Sequence, residues 1–224
     1  NASCVRRILR TYSGAASVSN FKPSVAKAIV GKYSSEGDVV VDFAAGYGGR
    51  LVGCLTLGRR YVGIEPCESQ VRGLLRTLRV ITRRGVAPGV AEVWKGCAEE
   101  ELKLLRRGSV GLVFSSPPYY DWEKYASQPT QSFLRYKTYE SWVKGFLVPV
   151  LRESRRILRK EGFVVLNVSD GRRRPTWDEV IRLGNNLGLR KVRIYRVVMP
   201  KVPYLHPRNG SPEKSERIIV FSRG

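Results

Sequence analysis

The sequence is poor in histidine, cysteine and acid. Its 224 residues hold one histidine, His206, and four cysteines, Cys4, Cys54, Cys67 and Cys97. No two cysteines form a Cys-x-x-Cys pair, so neither a Cys/His zinc site nor a disulfide scaffold is expected, and no metal is assigned. His206, in LHPRNG, reads as a loop residue rather than a catalyst. No run approaches the roughly 18 apolar residues of a membrane span. No signal peptide is legible either, so a cytoplasmic chain without a membrane partner is expected. Internal repeats and low-complexity tracts are missing too.

Acids number 19 against 40 Lys and Arg, a formal charge of +21. Neutralisation of phosphates by Lys and Arg dominates nucleic-acid affinity, so an excess not balanced by acid points to a polyanionic partner. Arg outnumbers Lys 28 to 12, which suits bidentate phosphate contacts and stacking on bases. The charge is distributed rather than held in a tail. Arg72, Arg76, Arg79 and Arg83 form one helical stripe. A second group is Arg152, Arg155, Arg156, Arg159 and Lys160, and a third is Arg172, Arg173 and Arg174. For each group the bland alternative is a solvated helix face or loop.

The 42% apolar content supports a packed core. Short Val/Ile/Leu runs alternate with helical patterns. Strands are predicted at Asp38–Phe43, Arg60–Glu65, Val90–Trp94, Val110–Ser115, Gly162–Val168, Lys191–Val198 and Arg217–Ser222. Helices are predicted at Pro23–Tyr33, Arg50–Leu57, Glu68–Arg83, Ala98–Arg106, Tyr139–Arg159 and Trp177–Leu187. In the fifth of these, Trp142, Phe146, Val150, Ser154 and Ile157 share one face, and Pro149 predicts a kink. The alternation predicts an α/β fold, a mostly parallel sheet with helices on both faces. No composition break marks a second domain, so 1–224 reads as one. Two connections, Pro117–Thr138 and Pro200–Lys214, are long, and structureless connections of that length are uncommon and usually functional; both follow the C-terminal ends of strands, where such sheets bind ligands.

Two segments carry chemistry. VVVDFAAGYGGR (Val39–Arg50) is a strand ending in an acid, then a glycine turn, then a helix. Glycines let the backbone turn tightly and let a ligand approach closely. Glu65, 23 residues after Asp42, ends the next strand and is placed to accept hydrogen bonds from ribose hydroxyls. The bland reading makes Asp42 a helix cap and Glu65 a surface acid. Ser116-Pro117-Pro118-Tyr119 follows the fourth strand. Its prolines hold a rigid backbone, Ser116 adds a hydroxyl, and Tyr119 offers a flat face, with Tyr120 and Trp122 beside it. Rigid acceptors and an aromatic plate suit an extruded base carrying an exocyclic amine. A proline-stiffened turn over packed aromatics is the alternative.

Together these segments resemble the class I S-adenosylmethionine-dependent methyltransferases that methylate amines of DNA bases, the N4-cytosine/N6-adenine group. DFAAGYGGR is similar to the cofactor loop, IEP to the ribose-binding acid, SSPPYY to the catalytic tetrapeptide, and FKPSVAKAI to the helix closing over the cofactor's methionine end. The resemblance covers nearly the whole chain, in unpermuted order. It implies a single Rossmann-like domain with a seven-stranded sheet, residues 1–36 forming the cofactor-closing segment, and 117–138 and 200–214 the substrate loops. It implies S-adenosyl-L-methionine as cofactor, held by Phe21, Lys22, Pro23, Asp42, Ala44, Gly46, Gly48, Glu65, Pro66, Cys97, Ala98 and Ser115. It implies catalysis by Ser116, Pro117, Pro118 and Tyr119. The position that often carries an acid near the adenine reads Gly96-Cys97-Ala98, a departure from the pattern.

An aromatic amine is a poor nucleophile because its lone pair is delocalised. The family's answer is to accept both amine protons, here on Ser116 and the Pro117 carbonyl, aiming the lone pair at the methyl group. Serine at the first tetrapeptide position resembles the cytosine-N4 enzymes, with adenine-N6 as the alternative. DNA is the expected partner, gripped by Tyr120, Trp122, Lys124, Arg135, Lys137, Lys201 and Arg208. RNA is the alternative polymer. A nucleic-acid binder with a degenerate methyltransferase fold is the alternative without catalysis.

Overall fold

Strands buried on both faces have no wet side, so they read as continuous apolar runs rather than alternating ones. The six residues of VGLVFS, Val110–Ser115, are accordingly all buried. A computed structural model describes residues 21–118, 120, 130–169, 177–197 and 216–224. Strands β1 (Val39–Asp42), β2 (Arg60–Glu65), β3 (Val90–Lys95), β4 (Val110–Ser115), β5 (Leu158–Ser169), β6 (Leu189–Val197) and β7 (Glu216–Arg223) form one sheet. Their order is β3-β2-β1-β4-β5-β7-β6. β7 runs antiparallel to β5 and β6, and the other pairings are parallel. The chain steps outward from β1 to β3, then returns to β4 beside β1. That reversal opens the crevice in which sheets of this kind bind ligands.

Helices α1 (Pro23–Tyr33), α2 (Gly49–Leu55) and α3 (Glu68–Arg84) cover one face. There Ala26, Leu51 and Leu74 pack with Val40, Leu112 and Phe114. The other face is covered by α4 (Ala98–Glu101), α6 (Tyr139–Trp142), α7 (Val148–Ile157) and α8 (Trp177–Asn186), with α5 (Ser132–Arg135) preceding α6. Fully burying a side chain such as Leu147 or Ile157 contributes about 1.5–3 kcal/mol. No helix among the described residues is long and apolar enough to cross a membrane.

Several predicted boundaries are corrected. The helix expected over Ala98–Arg106 stops at Glu101 and tightens into a 3₁₀ turn, Leu102–Leu104. Arg156 Nη2 donates to the carbonyls of Leu102 (2.9 Å), Lys103 (3.3 Å) and Leu105 (2.9 Å), satisfying the groups a helix end leaves free. The helix expected over Tyr139–Arg159 divides into α6, a π-turn over Val143–Leu147, and α7. Leu158 and Arg159 already belong to β5, which starts there rather than at Gly162. The break has a chemical cause. Pro149 has no N–H for the carbonyl of Gly145, four residues earlier. The Tyr136 hydroxyl supplies the donor instead, at 2.8 Å. All five residues expected on the inner face of this stretch are buried. Within the long connection Pro117–Thr138 lies the short helix α5. α2 starts one residue before the expected Arg50 and ends at Leu55 rather than Leu57. The segments 1–20, 121–129, 170–176 and 198–215 lie outside the described residues. With them go Arg172, Arg173, Arg174, His206 and the whole of the connection Pro200–Lys214.

Candidate functional site

The site begins where β1 runs out. Gly46 (φ +53°) and Gly48 (φ +81°) turn the chain through the left-handed region that favours glycine. Their surroundings differ. A Cβ on Gly48 would lie 2.9 Å from Leu74 Cδ2, whereas the nearest neighbour of one on Gly46 is the Ala44 carbonyl at 3.9 Å. Gly48 is therefore required by packing, and Gly46 keeps a space open.

Asp42 is fully buried. Its carboxylate accepts from Ser115 Oγ (2.7 Å), Tyr61 Oη (3.1 Å) and Arg50 Nη1 (3.4 Å). Ser115 Oγ in turn accepts the Ala44 N–H at 3.1 Å, which ties the tip of β4 to the glycine turn. Arg50 extends from the start of α2 across this brace. Its guanidinium carbon lies 4.5 Å from the Phe21 ring centre and 5.2 Å from that of Phe114. Its Nη2 donates to Ser116 Oγ. One buried guanidinium thus links the acid of the glycine turn to the serine of the diproline corner.

Glu65 ends β2, and its oxygens accept the N–H groups of Gly46 and Cys67, each at 2.9 Å. The Gln70 amide nitrogen, turned to donate, reaches the two oxygens at 2.9 and 3.0 Å. Burial pushes the carboxyl up to about 7, against the two backbone donors that pull it down. Cys97, at the end of β3, is buried, and burial pushes its thiol up as well.

These elements wall a cavity of about 260 Å³. Of the residues assigned from sequence, Phe21, Lys22, Ala44, Gly46, Glu65, Pro66, Cys97, Ala98, Ser116 and Pro118 line it. Asp42, Gly48, Ser115 and Pro117 are buried off its wall, and Pro23 is exposed away from it. Tyr120 packs edge-on against Tyr139, ring centres 5.9 Å apart, and donates its hydroxyl to the Lys137 carbonyl at 2.6 Å. Arg135 pairs with Glu100 (2.6 Å) and Glu99 (3.4 Å). Lys137 is exposed. Tyr119, Trp122, Lys124, Lys201 and Arg208 lie outside the described residues.

Sequence reasoning missed Arg50, Gln70, Gln131, Asn167 and Glu216 on the wall. Arg50 had a local signal, since it closes the motif YGGR and opens α2. Asn167 and Glu216 had none. They come from the ends of β5 and β7, 49 residues apart, and meet only because those strands pair Asn167 with Ile218 and Ser169 with Glu216.

No family model matches the chain. No curated protein matches it either. Solved structures do. A TehB-like SAM-dependent methyltransferase from Corynebacterium glutamicum matches with a TM-score of 0.60 at 13% identity, covering 100% of this chain and 97% of that one. A precorrin-6y C5,15-methyltransferase from Geobacter metallireducens matches at 0.62 and 16% identity, covering 94% and 93%. A geranyl diphosphate C-methyltransferase from Streptomyces coelicolor, crystallised with S-adenosyl-L-homocysteine, matches at 0.62 and 13% identity, covering 90% and 77%. These likenesses show the fold, the Rossmann-like architecture of class I methyltransferases.

Proposed function

We propose that the chain is an S-adenosylmethionine-dependent methyltransferase acting on the N4 amine of cytosine in DNA. One observation carries the reading: the Ser116 corner, the glycine turn and Glu65 border a single cavity, with Arg50 bonded both to Asp42 and to Ser116. The donor set suits the cofactor. Glu65 at the end of β2 would accept from ribose hydroxyls, the open side of Gly46 leaves room for close approach, Phe21 and Lys22 would hold the amino-acid end, and Cys97 and Ala98 would border the adenine. When bound, S-adenosylmethionine supplies an electrophilic methyl group on a sulfonium.

The chain's own residues hold the amine. Ser116 Oγ already accepts from Arg50, so one lone pair remains for an amine proton. In the family pattern the Pro117 carbonyl is the second acceptor; here Pro117 lies off the cavity wall, and Ser116 Oγ is the tetrapeptide acceptor that faces the cavity, drawing the nitrogen lone pair out of the ring. Because Arg50 is paired with Asp42, the corner is held by a neutral pair that does not oppose positive charge moving from sulfur to nitrogen. No general base is needed, since the amine proton turns acidic only as the methyl transfers. The +21 charge supports a polyanionic substrate.

The test is incubation with labelled cofactor and either DNA or RNA, digestion to nucleosides, and identification of the methylated one by mass spectrometry. N4-methylcytosine from DNA is the expected product. N6-methyladenine corrects the base, label in RNA alone corrects the polymer, and no labelled nucleoside overturns the reading.

A further inference from the structure

A carboxylate that is to meet ribose hydroxyls needs lone pairs to offer, and those of Glu65 are engaged. Oε2 accepts the Gly46 N–H and Oε1 the Cys67 N–H, each at 2.9 Å. The Gln70 amide nitrogen, turned to donate, lies 2.9 Å from Oε1 and 3.0 Å from Oε2. Each oxygen thus has two donors within reach, which matches its two lone pairs. Glu65 is accordingly only 5% exposed although it lines the cavity.

The donors are not alike. Gly46 and Cys67 donate from the main chain, of the glycine turn and of the step from β2 into α3, so neither withdraws without moving the fold. Gln70 donates from a side chain. It stands in the first turn of α3, where helical side chains lean back toward the helix N-terminus, here toward Glu65. It also lines the cavity, so its amide has room to turn away from the carboxylate. A nitrogen nearly equidistant from both oxygens stands where a vicinal diol would bridge them.

We infer that Gln70 competes with the ribose hydroxyls of S-adenosylmethionine for Glu65, so that its amide must turn aside as the cofactor seats and holds the affinity below what Glu65 alone would give. The inference rests on the ribose role proposed for Glu65 and is independent of the substrate. Hydrogen bonds to the carboxylate are exchanged rather than added, so the hydroxyls bring little net gain while Gln70 is present.

The test compares S-adenosylhomocysteine with its 2′,3′-dideoxy analogue by calorimetry at pH 8.5, above the value of about 7 to which burial raises Glu65. Wild type is expected to prefer the hydroxylated ligand only about threefold, since two hydroxyls replace one amide nitrogen on the same oxygens. Gln70→Ala is expected to bind S-adenosylhomocysteine about tenfold more tightly, which is what one hydrogen bond to a charged group provides, with the dideoxy analogue within about threefold of wild type. Gln70→Met, of similar length and without a donor, is expected to tighten binding in the same way, and it carries the test if Gln70→Ala does not fold. Unchanged or weaker binding of S-adenosylhomocysteine by a folded variant overturns the inference, as does a wild-type preference of about 100-fold. Adding Glu65→Ala to Gln70→Ala tells two failures apart. If the hydroxyl preference then disappears, Glu65 keeps its ribose role and the inference about Gln70 falls alone; if the preference stays, both fall. A wild type that binds neither ligand overturns the cofactor site itself.

Discussion

Glu65 accepts two backbone N–H groups in a place burial makes hostile to its charge, and the two effects give opposite pH signs for stability and for binding. Its carboxyl stands at about 7 in the folded chain against the ordinary 4.5. The folded state therefore holds this proton more tightly, and stability from the site is fully present below about 4.5 and lost as pH rises through about 7. A shift of this size is worth about 3 kcal/mol. Measured by denaturant unfolding at pH 5 and pH 8, the stability of the wild type relative to Glu65→Gln is expected to fall by up to that amount. Ribose hydroxyls donate best to the ionised form. Cofactor affinity of the wild type, read by calorimetry, is thus expected to rise between pH 6 and 8, a rise that Glu65→Gln lacks. Arg50 makes a different case. Arg50→Met leaves the fully buried Asp42 with donors from Ser115 and Tyr61 but no counter-charge. A loss of about 3 kcal/mol is expected from denaturant unfolding.

At the scale of elements, the broken helix of residues 139–157 is stabilised by a side chain from outside it. The Tyr136 hydroxyl lies 2.8 Å from the Gly145 carbonyl and 2.9 Å from Glu99 Oε1, so its single proton is shared between these two acceptors. Burial and the Glu99 carboxylate push its hydroxyl up to about 12, so it remains a proton donor at neutral pH. Tyr136→Phe removes the hydroxyl shared by the Gly145 carbonyl and Glu99, and about 1–3 kcal/mol of stability is expected to go with it. Gly145→Ala sets a methyl 2.2 Å from Tyr136 Cε1, and a loss of about 1–3 kcal/mol is expected there too. Thermal unfolding of the two variants and their double checks the link. The double is expected to lose less than the two singles together, since both disturb the same tyrosine–carbonyl pair.

For the whole molecule, the +21 charge separates into arginines that brace the fold and arginines that face water. Arg72, Arg76, Arg79 and Arg83 are exposed along α3, and Arg72 is paired with Glu68 at 3.3 Å. The second sequence group is largely structural. Arg155 donates to the Gly188 carbonyl at 3.0 Å, Arg156 caps the Leu102–Leu105 carbonyls, and Arg159 grips Asp38 at 2.6 and 2.8 Å. On the proposed reading of a DNA substrate, converting Arg76, Arg79 and Arg83 to Glu is expected to weaken DNA binding and flatten its salt dependence by about one counterion for each phosphate no longer neutralised. Arg156→Ala is expected to lower stability with the salt slope unchanged. Titrations over roughly 50 to 200 mM salt, where phosphate-driven binding changes steeply, distinguish the two groups when set beside thermal unfolding.

Period and punctuation were enough for the sheet, its helices, the glycine turn and the diproline corner, because local sterics and burial pattern determine those within a few neighbouring residues. Glycine at 46 and 48, acids ending β1 and β2, and prolines at 117 and 118 are local facts with local consequences. Helix ends at Glu101 and Val143 were not legible, since they depend on Arg156 and Tyr136 reaching in from other elements. The role of each basic group was equally hidden, because a solvated arginine and one capping carbonyls have the same spacing in the chain. Asn167 and Glu216 reach the cavity wall only through strand pairing across 49 residues, and Arg50 meets Ser116 across 66. Contacts of that span are decided by which strands lie side by side, and that order exists only once the sheet has formed.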